Sequence, residues 1–204
     1  MTWFIESRQP TIATVNSYPN GRSPPSASPI EQRQQFDAET KRKMSKTASV
    51  FPHEDGFKQH MLLDQNGYLL LSQAALDVLK SLQSEGWEAI PLKIKSATKE
   101  GAESLLGDTY YLLNLYLHRD LVDLERGNIE PKVLHKGRII ETTVYWLDQD
   151  HRDVAIKKDQ VGETKLWLGK GLVLGNIFFV ADPLKEAWCA LGVNPVILEP
   201  CIDV

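Results

Sequence analysis

The stretch from Thr109 to Glu125, with the sequence TYYLLNLYLHRDLVDLE, limits the possible folds more than any other part of the chain. Its first nine residues are mainly aromatic and aliphatic, and they lead directly into a charged segment. A strand that is apolar on both faces has to be covered on both faces, so this run predicts a central strand. Functional side chains are expected in the loop that follows such a strand, because loops on a rigid scaffold carry many binding residues.

The composition predicts a globular protein with one core. The chain has 204 residues, of which 42% are hydrophobic and 25% charged, a length that fits a single domain. The formal net charge of -4 is unevenly distributed, since residues 1–60 hold eight basic and six acidic groups while residues 61–204 hold fifteen and twenty-one. An acidic body disfavours direct nucleic-acid binding and favours a basic partner, although mild acidity is also ordinary in soluble proteins.

Cysteine usage and hydropathy predict a cytoplasmic protein. Cys189 and Cys201 are the only cysteines, and neither lies in the spacing of a zinc or redox motif. The N-terminal sequence MTWFIESRQP lacks a basic segment followed by an apolar one, and nowhere do eighteen apolar residues run together. Neither secretion nor membrane association is therefore expected.

Residues 1–56 are expected to form an N-terminal strand, a loop and a polar helix. Trp3–Ile5 and Thr11–Val15 are rich in aromatic and β-branched residues, which predicts an opening strand or hairpin. A Pro- and Ser-rich loop follows, from Ser17 to Pro29. Ser28 begins a capping box, so a helix is expected to continue from it through EQRQQFDAETKRKM, either on the surface or partly disordered.

Residues 57–204 are expected to form the main domain, with the whole chain as one structural unit. The predicted fold class is α+β, with an antiparallel-rich mixed sheet and two or three packed helices. One helix is expected near residues 73–85, with Ser72 as N-cap and Gly86 as its stop. The other is expected near residues 183–191, with Asp182 as N-cap and Gly192 at its end.

The strand predictions rest on turn signals and alternation. Asn66-Gly67 lies between two apolar runs and predicts a hairpin. Pro91 interrupts the alternating segment Trp87–Lys95, which predicts a strand near a sheet edge or a bulge. Residues 127–137 are expected to be irregular, and residues 138–147 to form a strand in the same sheet as the central strand. Four side chains are expected to be buried: Leu79, Leu113, Tyr145 and Trp188.

Short sequences that resemble catalytic motifs fail in their context. His118-Arg119-Asp120 matches the start of a kinase catalytic loop, but Glu125 stands where that motif requires a metal-binding Asn. The glycines that begin at Gly169 precede a predicted strand, whereas a phosphate loop precedes a helix. The five histidines lack the local spacing of a metal site. We therefore predict no catalytic residue, no cofactor and no metal.

The carboxylates that follow the central strand leave two interpretations open. Asp120, Asp123 and Glu125 are close together in sequence. They would suit an acid/base pair in an uncharacterised enzyme, but a charged strand exit that meets solvent is the more common meaning of such a cluster.

Three segments together resemble the bacterial polymorphic-toxin immunity proteins of the family numbered eleven. The first is LLLSQAALDVLKSL followed by EAIPLKI, which resembles the family's Ser-led helix and the proline-containing strand after it. The second is YYLLNLYLHRDLVDLERG, similar to a family strand with an internal Asn, here Asn114, followed by an aspartate, here Asp123. The third is IFFVADPLKEAWCALGVNPVILEP, similar to the family's closing strand, helix and final strand.

This resemblance, which covers about Leu62 to Pro200, implies a cytoplasmic protein that binds and neutralises a cognate toxin, often a nuclease. A basic nuclease would be steered by carboxylates on exposed turns and held by aromatic anchors. The candidate toxin-binding residues are Asp148, Asp150, Asp153, Trp146 and Trp167, with Asp120, Asp123 and Glu125 as a second group. An enzyme that uses this second group, and a scaffold or chaperone for a secreted effector, are the alternatives. The oligomeric state is not predicted.

Overall fold

The strands of this protein are distributed over several sheets. The computed structural model describes residues 1–5, 13–15, 34–44, 46–50, 60–63, 68–97, 107–123, 125–127, 129–134, 142–147, 154–169, 178–192 and 198–204. The helices are α1 (Ala38–Lys43), α2 (Gln73–Leu82) and α3 (Asp182–Ala190), with a 3-10 helix at Lys158–Gln160. The strands up to the central one are β1 (Thr2–Ile5), β2 (Ala13–Val15), β3 (Thr47–Val50), β4 (Met61–Leu63), β5 (Leu69–Ser72), β6 (Trp87–Ala97) and β7 (Thr109–Leu115). The later strands are β8 (His118–Arg119), β9 (Ile129–Leu134), β10 (Thr142–Leu147), β11 (Ala155–Ile156), β12 (Leu166–Gly169), β13 (Phe178–Ala181), β14 (Leu198–Pro200) and β15 (Ile202–Asp203).

Two mixed sheets dominate the described part of the chain. The six-stranded sheet has the order β2-β3-β6-β7-β5-β4, with β3 parallel to β6 and the other neighbours antiparallel. The five-stranded sheet has the order β14-β1-β13-β12-β8, in which β12 and β8 are the parallel pair. β9 pairs with β10, and β11 pairs with β15. The predicted α+β class with an antiparallel-rich mixed sheet is confirmed.

The described residues form three hydrophobic clusters around these sheets. The first joins α2 and α3 to side chains of both sheets, and it contains the predicted core residues Leu79, Leu113 and Trp188. The second lies on the opposite face of the six-stranded sheet, where residues 36–44 contribute Phe36 and Met44. The third lies on the opposite face of the five-stranded sheet. Both faces of the two main sheets are therefore covered by apolar side chains.

The central strand is placed as the sequence predicts. β7 lies between β6 and β5, and its alternate side chains belong to different clusters. Leu113 and Leu115 belong to the first cluster, whereas Tyr110 and Leu112 belong to the second. The two-sided apolar pattern thus reflects burial on both faces.

Helix α2 begins at its predicted cap and ends before its predicted stop. The Ser72 hydroxyl accepts a hydrogen bond from Ala75 N at 3.3 Å, as an N-cap does. The last helical residue is Leu82, and Gln83 has extended backbone with φ -151°. The prediction that Gly86 ends the helix is wrong, because the backbone already leaves the helical conformation at Gln83. The Gln83 side chain there accepts a hydrogen bond from Leu166 N of β12.

Helix α3 differs from its prediction by one residue at the start. Its N-cap is Ala181, and Asp182 is the first helical residue, followed by Pro183. The predicted capping role of Asp182 is wrong, because its carboxylate binds groups of the N-terminal segment. Gly192 has φ +73° and follows the helix as predicted.

The N-terminal predictions are partly wrong. β1 and β2 are both strands, but they belong to different sheets, so they do not form an opening hairpin. Residues 34–37 are not helical, and α1 begins at Ala38, where Asp37 caps it by accepting from Thr40 N at 2.6 Å. The predicted cap Ser28 and the loop before it lie outside the described residues.

Pro91 lies in the first half of β6, before the part of this strand that has neighbours on both sides. It lies opposite Tyr111 of β7. On the other side of β6, pairing with β3 begins only at Lys93, so among the described strands Pro91 has a partner on one side alone. Its missing N–H therefore costs no strand pairing. The predicted edge position holds for the first half of β6 only, and a register shift occurs opposite its second half, between Ala48 and Ser49 of β3.

The region after residue 127 also departs from expectation. Residues 129–134 form β9, so the prediction of an irregular segment there is wrong. β10 covers Thr142–Leu147 but pairs with β9, in a different sheet from the central strand. The predicted common sheet is therefore wrong. The side chain of Tyr145 lies outside the described part of the structure.

Candidate functional site

The Thr109–Glu125 stretch passes from one main sheet to the other. β7 ends in the six-stranded sheet, and β8 begins in the five-stranded sheet after two intervening residues. The Gly86 carbonyl accepts hydrogen bonds from Tyr116 N and Leu117 N, both at 2.9 Å. Leu117 O in turn accepts from Leu168 N at 2.8 Å. These bonds fix the direction in which the chain leaves β7, and with it the carboxylates that follow.

We call residues 120–123 and 125–127 the acidic turn. Its backbone is bound to the strand beside it, because Asp123 N donates to Ala155 O and Lys157 N donates to Leu121 O, each at 2.9 Å. Asp123 closes the turn itself, since its Oδ1 accepts from Glu125 N at 3.1 Å and Arg126 N at 3.2 Å. This is an Asx-type turn, in which the aspartate side chain takes the place of a backbone acceptor.

The three predicted carboxylates of this turn have different surroundings. Asp120 and Glu125 are exposed, whereas Asp123 is half-buried. The Oδ1 atom of Asp123 already has two backbone donors, so this carboxylate serves the structure of the turn. Asp120 and Glu125 present their charge to solvent from a fixed backbone. That arrangement suits attraction of a positively charged surface.

The other predicted toxin-binding residues are only partly placed. Asp148, Asp150 and Asp153 lie outside the described residues. Trp146 belongs to β10, opposite Glu130 of β9. Trp167 is fully buried in the third cluster.

The position of Trp167 excludes it as a surface anchor in this conformation. Its ring stacks on Phe179 with centroids 5.7 Å apart and planes inclined by 15°. No part of the side chain is accessible. A partner cannot touch Trp167 without opening the core. The structure therefore does not support the prediction that Trp167 contacts a toxin. Leu166 and Leu168 on either side of it are buried as well, so this apolar run reflects burial in the core.

A cluster of charged and aromatic groups joins the N-terminal segment to α3. The α-amino group of Met1 donates to Asp182 Oδ2, and the Trp3 indole N–H donates to Asp182 Oδ1 at 2.7 Å. Lys185 Nζ lies 3.5 Å from the centroid of the Trp3 ring. Asp203 Oδ2 is 3.6 Å from the same amino group. We call this set the N-terminal clamp.

The clamp perturbs the acid–base properties of its members. The hydrogen bond to Asp182 raises the pKa of the Met1 amino group above 8.0. Burial by itself raises the pKa of Asp182, but hydrogen bonds from the Met1 amino group and the Trp3 indole outweigh it, and the net pKa lies below 3.8. Both groups are charged between pH 3.8 and 8.0, so the ion pair is favoured over that range.

Two further groups are kept neutral by their surroundings. Burial, with a smaller contribution from Asp108, raises the pKa of Tyr110 to about 12. Burial, with a smaller contribution from Asp203, also raises the pKa of the Cys201 thiol, which makes it a poor nucleophile. Cys189 is exposed, and the two cysteines are not joined.

A second polar site lies inside the six-stranded sheet. Glu88 of β6 and Asn114 of β7 are directly opposite in register. Asn114 is 1% exposed, and its Nδ2 donates to Glu88 Oε1 at 2.8 Å and to Gln34 O at 2.9 Å. Glu88 Oε1 also accepts from Phe36 N at 2.6 Å, and Glu88 Oε2 lies 2.5 Å from Lys41 Nζ as an ion pair. The pair thus holds residues 34–41 against the sheet.

Sequence reasoning missed Glu88, although a signal for it is present. In β6 the even-numbered side chains Ile90, Leu92 and Ile94 are buried in the second cluster. Glu88 occupies the same face by alternation, and an acid on an apolar face requires partners. Asn114 carries the same signal within β7. The alternation marks each of these residues as a polar group on a buried face, whereas their pairing depends on the strand register.

Two kinds of feature are absent from the described residues. Within these ranges, no three His, Cys, Asp or Glu side chains gather in a way that would hold a metal ion. Every helix in the described ranges is too short or too polar to span a bilayer.

In comparisons with known proteins, no protein-family model matches the chain, and no curated protein matches it.

Proposed function

We propose that the protein is an immunity-type inhibitor, which binds a cognate bacterial toxin and neutralises it by forming a stoichiometric complex in the cytoplasm. The observation that carries the proposal is the acidic turn, where Asp120 and Glu125 are exposed on a backbone bound to β11. The resemblance of residues 62–200 to immunity family eleven supports the same function. The partner is a basic, nuclease-type effector, because its charge complements this turn and the acidic body of the chain.

The fixed backbone of the turn makes it a better docking element than a free loop. Ordering of a flexible loop on binding reduces the net affinity, and the hydrogen bonds of Asp123 remove that cost in advance. The exposed carboxylates act over about 8 Å at physiological ionic strength, so they mainly accelerate association.

The direct test is titration of the protein against the toxin encoded beside it. An inhibitor gives a linear loss of toxin activity with a break at a fixed molar ratio, and coexpression restores growth. Loss of toxin activity at very small protein fractions, with a change in toxin mass, would establish the enzyme alternative instead. A stable complex in which the toxin stays fully active would establish the scaffold or chaperone alternative.

The location of the interface is tested by charge-neutral variants. Asp120→Asn combined with Glu125→Gln is expected to lower the association rate roughly tenfold and to flatten its salt dependence. The matched control is Glu85→Gln combined with Glu186→Gln, which removes the same charge from exposed positions outside the acidic turn. If both pairs slow association equally, only total charge matters and the acidic turn is not the interface. The carboxylates Asp148, Asp150 and Asp153 are then the next to neutralise.

A further inference from the structure

The segment from Gln34 to Met44, which we call the strap, is bound to the six-stranded sheet as a peptide ligand is bound to a receptor. Its first residues are not helical, and Asp37 has extended backbone with φ -68° and ψ 167°. Gln34 and Phe36 bind the Glu88–Asn114 pair through their backbone groups. Asn114 donates to the carbonyl of Gln34, and Glu88 accepts from the N–H of Phe36. In extended backbone these two groups, on residues i and i+2, point to the same side. The Asn114 amide and the Glu88 carboxylate therefore bind two backbone groups on the same side of the strap.

Backbone recognition of this kind does not select a sequence, and two side chains of the strap add selectivity. Phe36 packs on the second cluster, with its ring centroid 6.4 Å from that of Tyr68. Lys41 pairs with Glu88 Oε2 at 2.5 Å. Together these two contacts favour a segment that has an aromatic residue and, five residues later, a lysine.

The polar pair depends on its occupant. The Glu88 side chain is 11% exposed; its Oε1 accepts a hydrogen bond from Phe36 N, and its buried Oε2 contacts Lys41 Nζ as an ion pair without a hydrogen bond. A buried carboxylate that loses its cation and its N–H donor is costly unless water replaces them. The Asn114 amide would also lose one of its two acceptors. The site therefore favours an occupied state.

The strap is held more weakly than the strands beneath it. α1 has six residues, too few to be stable without its contacts. Lys41 is 39% exposed, so its ion pair is accessible to water at one end. By contrast, β6 and β7 are paired along seven consecutive residue positions. The strap contributes Phe36 and Met44 to the second cluster. A segment anchored by so few buried side chains can open locally without unfolding of the rest.

We propose that Glu88, Asn114 and the apolar surface beside Tyr68 form a receptor site for a peptide that binds, as the strap does, with a non-helical first part followed by a short helix. The strap is its resident ligand. The peptide class has an aromatic residue and, five positions later, a lysine. Such a segment from a partner competes with the strap for the same hydrogen bonds. This inference does not depend on toxin binding.

The test uses the full-length protein with Phe36→Ala and Lys41→Ala, which weakens the strap and leaves the sheet site unchanged. A fluorescent peptide of residues 34–44 should bind this variant saturably by anisotropy. It should bind the wild-type protein about 100-fold more weakly, because the tethered strap competes at a high effective concentration. Peptides that carry the same Phe36→Ala or Lys41→Ala change should bind the variant at least about tenfold more weakly than the unchanged peptide.

Two results would overturn the proposal. One is a folded variant that does not bind the peptide, or that binds the unchanged and altered peptides equally. The other comes from hydrogen exchange of the wild-type protein, which needs no variant. If the amides of residues 36 and 41 exchange only in the same global event as those of β6 and β7, the strap is a fixed part of the core and not a ligand. Faster exchange of the strap alone is the expected result.

Discussion

The side chain of Gln83 hydrogen-bonds to both backbone groups of Leu166. Its Oε1 accepts from Leu166 N at 2.9 Å, and its Nε2 donates to Leu166 O at 3.0 Å. Oε1 also accepts from Lys165 N at 2.8 Å. The amide thus takes the position of a neighbouring strand beside β12, and it connects the end of α2 to the five-stranded sheet.

Replacement of Gln83 should therefore destabilise the protein strongly. Gln83→Leu keeps a similar volume but leaves the N–H and C=O of Leu166 buried without partners. We expect the free energy of unfolding to fall by about 2 to 4 kcal/mol, since each unsatisfied buried group costs about 1 to 3 kcal/mol. Urea denaturation measures the change. Ser84→Ala, at the exposed next residue, is the control, and an equal loss in both variants would contradict the bridging role.

Gly86 should not tolerate a side chain. Its φ is +86°, and a Cβ added there would lie 2.7 Å from Leu117 Cβ. Gly86→Ala combines backbone strain with a steric clash, so we expect a loss of about 2 to 4 kcal/mol in thermal or urea unfolding. Gly192→Ala is the matched control, because φ is +73° there with nothing within 4 Å of the added Cβ. It should lose only about 1 kcal/mol. Similar losses at both sites would show that the Leu117 contact is unimportant.

Removal of Trp188, the one aromatic residue of α3, is expected to be costly. Trp188 is fully buried, and its indole N–H donates to Ala75 O of α2 at 3.0 Å. Trp188→Ala should lower the free energy of unfolding by about 3 to 5 kcal/mol through the cavity that it leaves. Trp188→Phe keeps most of the ring but not the hydrogen bond, and it should lose less. An Ala variant with an unchanged melting temperature would remove α3 from the core.

The N-terminal clamp predicts a pH dependence of stability. The pKa of Asp182 is lowered on folding, so its contribution is present above 3.8 and is lost as the pH falls through the lower folded value. The pKa of the Met1 amino group is raised, so its contribution is present below 8.0 and is lost as the pH rises through the higher folded value.

Asp182→Asn should remove the dependence at acid pH and weaken the one at alkaline pH, where Asp203 still lies 3.6 Å from the Met1 amino group. Melting temperatures at about pH 3, 6 and 10 should then show less destabilisation at the extremes, relative to pH 6, than in the wild-type protein. The effect is expected to be small, because the pair is partly exposed and screened by solvent. Asp77→Asn on α2 provides a control at an exposed carboxylate with a lysine partner. An unaltered pH profile in Asp182→Asn would contradict the clamp as its source.

Local sequence signals predicted local structure well. Ser72 caps α2 because its side chain and the helix it begins are adjacent in sequence, and the two-sided apolar pattern placed β7 at the centre of a sheet. The N-cap of α3 was displaced by one residue, since the choice between Asp182 and Ala181 depends on Met1 and Trp3 at the far end of the chain. β9 was missed because Pro131 and the neighbouring charges weaken its strand pattern.

The site was predictable only where its geometry is local. The carboxylates of the acidic turn follow directly from the end of the central strand in the sequence. The burial of Trp167 depends on stacking with Phe179 of another strand, and an apolar strand pattern does not show whether an aromatic residue faces a core or a partner. The site around Glu88 depends on β7 and on the strap, so spacing along the chain did not reveal it.

The position of β1 has a consequence for synthesis of the protein on the ribosome. β1 pairs with β13 and β14, and Ile5 lies opposite Phe178, so its partners emerge about 170 residues later. At about 5 to 20 residues per second, this delay is roughly 10 to 35 s. The six-stranded sheet has most of its pairings between neighbours in the chain and can form during that time. Until then Phe4 and Ile5, both buried in the finished fold, remain exposed to chaperones and to other nascent chains.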